Sequence, residues 1–413
     1  MTAPDQGSPG LFVRIRIAAA EPVLRSLGIL TAIGTLGRGV VLALVVLYLS
    51  LIVGLTASEV ALVVAIGAGV GVGAAYLGGR MADSVSARKL LAASTAVCGL
   101  AVIAYALVGD AVSALVVQVL GSSAWAFSGS VRSAIIARAF EGHARVMSRA
   151  VLRSITNLGI AVGGGAAAIA LIAGTPEAYR IFLVAAGLAY VGAAGVALRL
   201  PARVDAPKRS ADAPGRVGRS PWTDRRYLAF SVLASVFGMQ FAVADVGVPL
   251  WIAQSTEAPE ALVAVLLVIN TTAVILLQVP LSRGTHDLRR AGLVSAIAGV
   301  LMALACVAYG ASAAVVLGGA IVLLVLGALL HAFAEILSQA ASWSLSFELA
   351  DPARAGAYQG IFSMSFSAGA TVAPLVIALT LANGMPGWIA LAAVFAISAS
   401  GVSMIAVVAA RRS

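Results

Sequence analysis

Charged side chains are scarce in this sequence of 413 residues: Asp, Glu, Lys and Arg together make up 11%, whereas 61% is hydrophobic. A soluble domain averages about 25% charged residues, so the composition excludes a soluble globular protein. Cysteine is also rare, because only Cys98 and Cys306 occur, each within an apolar run. We therefore expect two buried thiols, and neither a disulfide framework nor a metal site.

Motifs for catalysis and phosphate binding are absent from the sequence as well. It contains no GxxxxGK[ST] phosphate loop and no recognisable pattern of a nucleophile with its base. The formal net charge of +10 does not indicate nucleic-acid binding, because the basic residues lie between apolar runs rather than on one basic domain. The sequence predicts no enzyme, no ATP-driven pump, no cofactor and no nucleic-acid partner.

Long apolar runs are what the sequence has in abundance. A helix of about 20 apolar residues crosses the roughly 30 Å hydrocarbon core of a membrane, and twelve such runs follow one another along the chain. The sequence therefore predicts an all-α membrane protein with twelve transmembrane helices. We place the spans at residues 27–51, 58–79, 89–108, 112–134, 154–173, 179–198, 227–252, 260–281, 290–309, 313–337, 357–381 and 387–408.

The cations alternate between the two sides of these spans. The gaps after the odd-numbered spans hold a single cation, Arg180, whereas the other gaps and the two termini hold nearly all the rest. Because positive charge marks cytoplasmic loops, both termini are predicted to be cytoplasmic. We expect a multi-pass protein of a bacterial inner (plasma) membrane that contacts membrane lipid and acts as a monomer.

Residues 199–226 are polar, basic and proline-rich, unlike the rest of the chain. Such a composition cannot form a core, so we interpret this segment as a cytoplasmic linker, mobile or only partly helical. It separates an N-terminal six-helix bundle, residues 1–198, from a C-terminal six-helix bundle, residues 227–413. Two related halves with a substrate site between them are a known transporter plan.

The loop after span 2 reads GRMADSVSARK, from Gly79 to Lys89, with Asp83 in its centre and a second cation at Arg88. This resembles the loop signature of the major facilitator superfamily, although Ser84 replaces the basic residue that normally follows the aspartate. The stretch VINTTAVILLQVPLSRGTHDLRRAG resembles span 8 and its following loop in the drug-exporter branches of that family. The resemblance implies the major facilitator fold, with two pseudo-symmetric bundles, and secondary active transport by alternating access.

The resemblance also assigns a role to this loop, as a cytoplasmic gate motif formed by Gly79, Asp83, Arg88 and Lys89. A glycine lets two helices approach closely, and an aspartate can accept hydrogen bonds from a helix N-terminus; in the family this pair is thought to latch the outward-open state. We expect Asp83 near residues 355–360, with Arg88 in reach. The alternative is an ordinary loop aspartate paired with Arg88 or Lys89.

Two opposite charges lie deep within spans 1 and 7, which occupy equivalent places in the two halves. Arg38 cannot easily reach the interface from there, and a cation at the bilayer centre costs about 2.5–3.5 kcal/mol. Asp245 lies one helical turn from the equivalent position. In the implied fold both spans line the central cavity, so we expect both side chains to face it and to be able to pair. The pair serves substrate or counter-ion binding, or else it is structural.

Span 10 carries His331 and Glu335, four residues apart and hence on one helix face. A glutamate at membrane depth is costly unless it is protonated, paired or hydrated, so both residues are candidates for proton coupling. The alternative is packing against polar groups such as Gln339. Gln240 shares span 7 with Asp245 and is a candidate substrate contact, with interhelical hydrogen bonding as the alternative.

A basic stripe formed by Arg145, Arg149 and Arg153, four residues apart, leads into span 5. We interpret it as an anchor for anionic lipid headgroups.

The sparse intramembrane charge favours a proton-coupled exporter of small amphipathic or hydrophobic molecules. Protons are then the coupling ion. Two alternatives stay open: an importer of a small anionic or neutral nutrient that uses Arg38, and a non-transporting membrane scaffold or sensor.

Overall fold

A computed structural model describes residues 21–206 and 218–412. In these residues it contains twelve helices that are long and apolar enough to cross a membrane, and no strand. The predicted fold class is therefore confirmed. The helices are α1 (Pro22–Ile52), α2 (Ala57–Ala82), α3 (Ala87–Leu107), α4 (Ala111–Ala139), α5 (Gly142–Ala173), α6 (Pro176–Leu198), α7 (Arg225–Ser255), α8 (Leu262–Leu281), α9 (Leu288–Ala314), α10 (Leu317–Glu348), α11 (Pro352–Ala382) and α12 (Gly384–Ala410).

Several helices begin at side chains that cap free backbone amides. At α2, the Thr56 hydroxyl accepts from the Glu59 amide at 3.3 Å and the Glu59 carboxylate accepts from the Thr56 amide at 2.8 Å, a reciprocal capping box. At α4, Asp110 accepts from the amide of Ser113, and this hydrogen bond lowers the pKa of the Asp110 carboxyl. Such caps allow the short connections that keep consecutive helices antiparallel.

The helices α5 and α10 extend further than the apolar runs predict. Helix α5 begins at Gly142 rather than near residue 154, and α10 ends at Glu348 rather than near residue 337. The added turns contain charged side chains, among them Arg145 and Arg149, which make an amphipathic extension look like a loop in the sequence. They are helical because these side chains find partners on the neighbouring bundle, as described below.

Two bundles of six helices each enclose their own apolar core. One core is formed by residues between Val40 and Tyr190, and the other by residues between Phe237 and Ala399. Both cysteines, Cys98 and Cys306, are buried in these cores, as expected. Of the segment between the bundles, the structure describes two single helical turns, Ala202–Val204 and Pro221–Thr223; residues 207–217 lie outside the described part, so the proposed linker bounds stay a prediction.

The bundles touch mainly at the end of the molecule that holds this connecting segment, here termed the linker end. Helix α11 packs on α2 and α4, and α5 packs on α8 and α10. Phe347 of α10 is buried in an apolar cluster otherwise formed by residues 23–204. All hydrogen bonds and ion pairs between the bundles, within the described residues, lie in the half of their helices nearer the linker end. The molecule is therefore closed at the linker end.

Candidate functional site

A cavity of about 360 Å³ lies beyond the closed end, in the central and far portion of the helices. This volume falls within the range typical of small-molecule sites. A lining of apolar surface with a few polar groups is also typical of such sites. Helices α1, α2, α3, α4, α6 and α11 contribute to its wall. The polar and aromatic side chains that line it include Arg38, Tyr105, Gln118, Trp125, Tyr190 and Phe366.

Arg38 supplies positive charge to the cavity wall, where its depth in span 1 led us to expect it. Its guanidinium carbon lies 5.2 Å from the ring centroid of Trp125, a cation–π contact. No carboxylate of residues 21–206 or 218–412 forms an ion pair with it. A cation at this depth is costly unless it meets water or an anion, so Arg38 gives the cavity an affinity for negative charge.

The predicted pair between Arg38 and Asp245 is not formed in this structure. The cavity wall comes from the N-terminal bundle and α11, and Asp245 on α7 is not among the lining residues. Asp245 is exposed and lies on a π-helical turn, Val243–Gly247. Pro249, four residues further on, has no amide hydrogen to donate to the carbonyl of Asp245, which explains the break in regular α-helix.

Asp245 instead lies within electrostatic range of Arg153 and Glu335. Arg153 Nη2 on α5 lies 2.7 Å from Glu335 Oε1 on α10, and the Glu335 side chain is only 4% exposed. Asn270 on α8 donates to the second Glu335 oxygen at 3.1 Å. The carboxylate of Glu335 is thus paired across the two bundles, and the sequence offered no sign that Arg153 would be its partner.

His331 and Gln240 do not line the cavity but are buried inside the C-terminal bundle. The Nδ1 atom of His331 lies 3.4 Å from the hydroxyl of Tyr309 on α9. The Gln240 side-chain amide donates to Ser338 Oγ on α10 at 2.9 Å. Direct contact of either side chain with a molecule in the cavity does not occur in this conformation, and the geometry of Gln240 matches the interhelical alternative.

The predicted gate motif begins where α2 meets α11. Asp83 accepts hydrogen bonds from the amides of Gly356 at 2.8 Å and Ala357 at 2.7 Å, at the N-terminus of the long α-helical part of α11. This is the location expected from the sequence. A Cβ atom on Gly79 would collide with the carbonyl oxygen of Gly356, so the close approach of the two helices requires glycine there.

The cation beside Asp83 is Arg138 of α4, at 2.6 Å, and not Arg88 as predicted. Arg88 lies in the first turn of α3 and pairs with Asp205 at 3.1 Å. The turn between α2 and α3 directs it towards the connecting segment and away from α11. Lys89 is exposed, and no ion pair involves it in the described residues.

The arginine stripe of α5 faces the C-terminal bundle, so its interpretation as a lipid anchor is wrong. Arg145 pairs with Glu348 at 3.2 Å, one turn before Arg149, which lies over the rings of Trp343 (5.9 Å) and Phe347 (5.3 Å). Arg153 is the third member, paired as described above. The spacing of four residues correctly indicated one helix face, but it could not indicate that α10 covers that face.

Sequence reasoning also missed Arg132 and Arg138 on α4 and Trp125 on the same helix. Arg132 lies within the predicted span 112–134, so it was recognisable as an intramembrane cation. Its Nη1 atom lies 3.5 Å from the Thr31 hydroxyl on α1. Arg138 and Trp125 gave no signal, because a loop cation and an aromatic residue in an apolar span are common.

The sequence pattern of the Major Facilitator Superfamily matches residues 27–374. No curated protein shows significant sequence similarity to the chain.

Several solved structures have a similar fold. The human organic anion transporter MFSD10 (TETRAN) shares 15% identity at a TM-score of 0.70, over 92% of this chain and 99% of that one. A bacterial homologue of the iron transporter ferroportin in an outward-facing state shares 14% identity at a TM-score of 0.73, over 94% of this chain and 100% of that one. The Major Facilitator Superfamily transporter FucP in an outward conformation shares 12% identity at a TM-score of 0.67, over 95% of this chain and 99% of that one. At these identities the similarity shows the fold alone.

Proposed function

Because this chain belongs to the Major Facilitator Superfamily and is a multi-pass membrane transporter rather than an enzyme, we propose that its cargo is a small amphipathic organic anion. We further propose that transport is coupled to protons and that its direction is export, in line with the resemblance to drug-exporter branches. Under this proposal the protein resides as a monomer in a bacterial inner membrane, with both termini and the linker end in the cytoplasm.

The observation that carries the proposal is the unpaired guanidinium of Arg38 in the cavity wall. An arginine at membrane depth generally pairs with an opposite charge or with backbone carbonyls unless it faces a water-filled cavity, and among the described residues Arg38 has no carboxylate partner. A cation that stays accessible in a cavity of ligand size supports an anionic cargo over a neutral one.

The rest of the wall supports an apolar body on that anion. Trp125 and Phe366 offer aromatic faces, and glycine, alanine and valine residues form much of the remaining lining. Burial of apolar cargo surface contributes about 25 cal/mol per Å². The carboxylate or sulfonate of the cargo would bind Arg38, while its apolar part would pack against the aromatic rings.

Proton coupling is proposed for the carboxylates of Asp245 and Glu335. Asp245 is exposed, and Glu335 is bound to Arg153 of the other bundle. A proton that reaches this group neutralises one carboxylate and weakens its attraction for Arg153, which favours separation of the bundles at the linker end. The proton gradient would thereby bias the conformational equilibrium that moves the cargo.

Transport by proteoliposomes under an imposed pH gradient tests this function. The probe is 4-nitrobenzenesulfonate, a permanently charged amphipathic anion, and its neutral control is 4-nitrobenzenesulfonamide. We expect gradient-driven transport of the sulfonate alone, with KM raised about tenfold in Arg38→Gln, since a hydrogen bond to a charged group contributes about 1.5–3 kcal/mol. Arg38→Lys should retain part of the affinity. Equal handling of both probes, or an unchanged KM in Arg38→Gln, would contradict the anionic cargo.

A further inference from the structure

Two arginines of the N-terminal bundle lie between the cavity and the linker end without a carboxylate partner. On α5, Arg145 and Arg153 each form an ion pair with α10, whereas Arg149 between them contacts α10 through the rings of Trp343 and Phe347 and forms no ion pair there. The Nε atom of Arg149 is buried without a hydrogen-bond partner. Within the described residues, Arg149 is thus the one member of the α5 stripe that is held against the other bundle without compensation of its charge.

Arg132 is the second of these arginines, and it lies beside the first. The Nη2 atom of Arg149 donates to Ser133 Oγ at 2.5 Å, and Ser133 directly follows Arg132 in α4. The only side-chain hydrogen bond of Arg132 in the described part of the chain goes to the hydroxyl of Thr31. The charge of Arg132 lies within electrostatic range of Arg149, and both side chains are only partly exposed, so the two like charges repel each other.

The arginine pair lies between the cavity and the linker end. Thr31, which Arg132 contacts, precedes Arg38 by seven residues on α1. At 1.5 Å per residue the pair lies about 10 Å nearer the linker end than Arg38. Trp343 and Phe347 lie over the Arg149 member of the pair, and both belong to α10 of the C-terminal bundle. Separation of the bundles at the linker end would part these rings from the guanidinium groups, so that an anion could enter from the solution on that side and lie between the arginines and the ring of Trp343.

We propose that Arg132 and Arg149 form a second anion-binding site, which takes the same class of amphipathic organic anion and is covered by Trp343 and Phe347 in the present conformation. This inference rests on the proposed function for the identity of its ligand. Two adjacent guanidinium groups offer several donors to one carboxylate or sulfonate. The anion would neutralise the charge pair in the conformation that is open at the linker end and would then be handed on towards Arg38.

Tryptophan fluorescence can read the two sites separately, because Trp343 lies at the second site and Trp125 at Arg38. A nitroaromatic probe such as 4-nitrobenzenesulfonate quenches an indole on contact. Quenching lost in Trp343→Phe reports the second site, and quenching lost in Trp125→Phe reports the cavity. The closed state is fixed by a cleavable bifunctional thiol reagent that bridges Arg145→Cys and Glu348→Cys, in a protein with Cys98→Ala and Cys306→Ala. In the same protein, Glu335→Gln favours opening of the linker end once the reagent has been cleaved. Failure of the bridge to form again then verifies that the linker end is open.

In the released protein we expect saturable quenching of Trp343, weakened about tenfold by Arg149→Gln or Arg132→Gln and largely kept in Arg149→Lys, since a charged hydrogen bond is lost in the first two variants only. The bridge should abolish the quenching of Trp343 by the sulfonate. Quenching by the neutral sulfonamide should be unchanged by these substitutions. Absence of saturable Trp343 quenching after verified opening, or quenching that survives Arg149→Gln, overturns the second site. Quenching of Trp125 that depends on Arg38 tests the proposed function independently in the same protein.

Discussion

Arg153 and Glu335 form an ion pair 2.7 Å long across the two bundles, with only 21% and 4% of their side chains exposed. Removal of one partner from such a pair leaves the other charge buried without compensation. Asn270 cannot replace the guanidinium, because its amide carries no charge. The pair therefore holds the closed state together more strongly than an exposed ion pair would.

Glu335→Gln should lower the melting temperature of the detergent-purified protein, because breaking one partner of a buried pair costs about 3–5 kcal/mol. Arg153→Gln combined with Glu335→Gln should recover most of that loss and yet lack the pH dependence of transport. The matched control is Arg203→Gln, whose pair with Glu21 leaves the arginine side chain 57% exposed. An exposed pair contributes about 0–1 kcal/mol, so equal shifts in control and Glu335→Gln would contradict a buried, stabilising pair.

For single residues, the sequence predicted the membrane depth and the helix face of a side chain, but not the residues with which it pairs. The distance of Arg38 from its span ends indicated a wet cavity or a partner, and the resemblance to the major facilitator superfamily implied that Asp83 lies near residues 355–360. The partner of Asp83 is Arg138 rather than Arg88. Asp245 forms no ion pair within the described residues, and Glu335 and Arg153 rather than Arg38 lie within its electrostatic range. Such pairings depend on how helices distant in sequence pack together, which local spacing does not contain.

Helix α5 shows the same limit for an entire element. Its apolar run gave the span from residue 154 onwards, whereas the helix begins at Gly142. The first three turns carry Arg145 and Arg149, and their contacts with α10 are what allow a charged segment to continue as a buried helix. Element type and number followed from hydropathy, because every span must satisfy its backbone internally; the length of α5 followed from tertiary contacts.

The packing of α2 on α11 gives a prediction for these two elements. Gly79→Val adds atoms where the carbonyl oxygen of Gly356 lies, so the helices must separate and the closed state should be disfavoured. Bridging between Arg145→Cys and Glu348→Cys should then become slower. Gly73→Val on the same helix is the control, since no atom of the described structure lies within 4 Å of its Cβ position. Equal bridging rates in both variants would show that the contact at Gly79 does not determine closure.

For the whole molecule, the twelve helices were predictable from the apolar runs, and the two six-helix bundles from the polar segment 199–226 that separates them. The conformation was not predictable: closure at the linker end comes from Asp83, Arg145 and Arg153 acting across the bundles. These contacts leave the cavity with Arg38 on the other side of the closed region. Under the predicted topology, with the linker end in the cytoplasm, this is an outward-facing state.

Alternating access requires the bundles to separate at the linker end once in every cycle. A reagent that bridges Arg145→Cys and Glu348→Cys should therefore stop transport of 4-nitrobenzenesulfonate completely, and cleavage of the bridge should restore it. The control bridge joins Glu21→Cys and Arg203→Cys, which replace an ion pair that does not cross between the bundles. Because that bridge spans no moving interface, transport should persist. Transport that continues through the first bridge, or stops equally with the second, would mean that the cargo path does not depend on opening between α5 and α10.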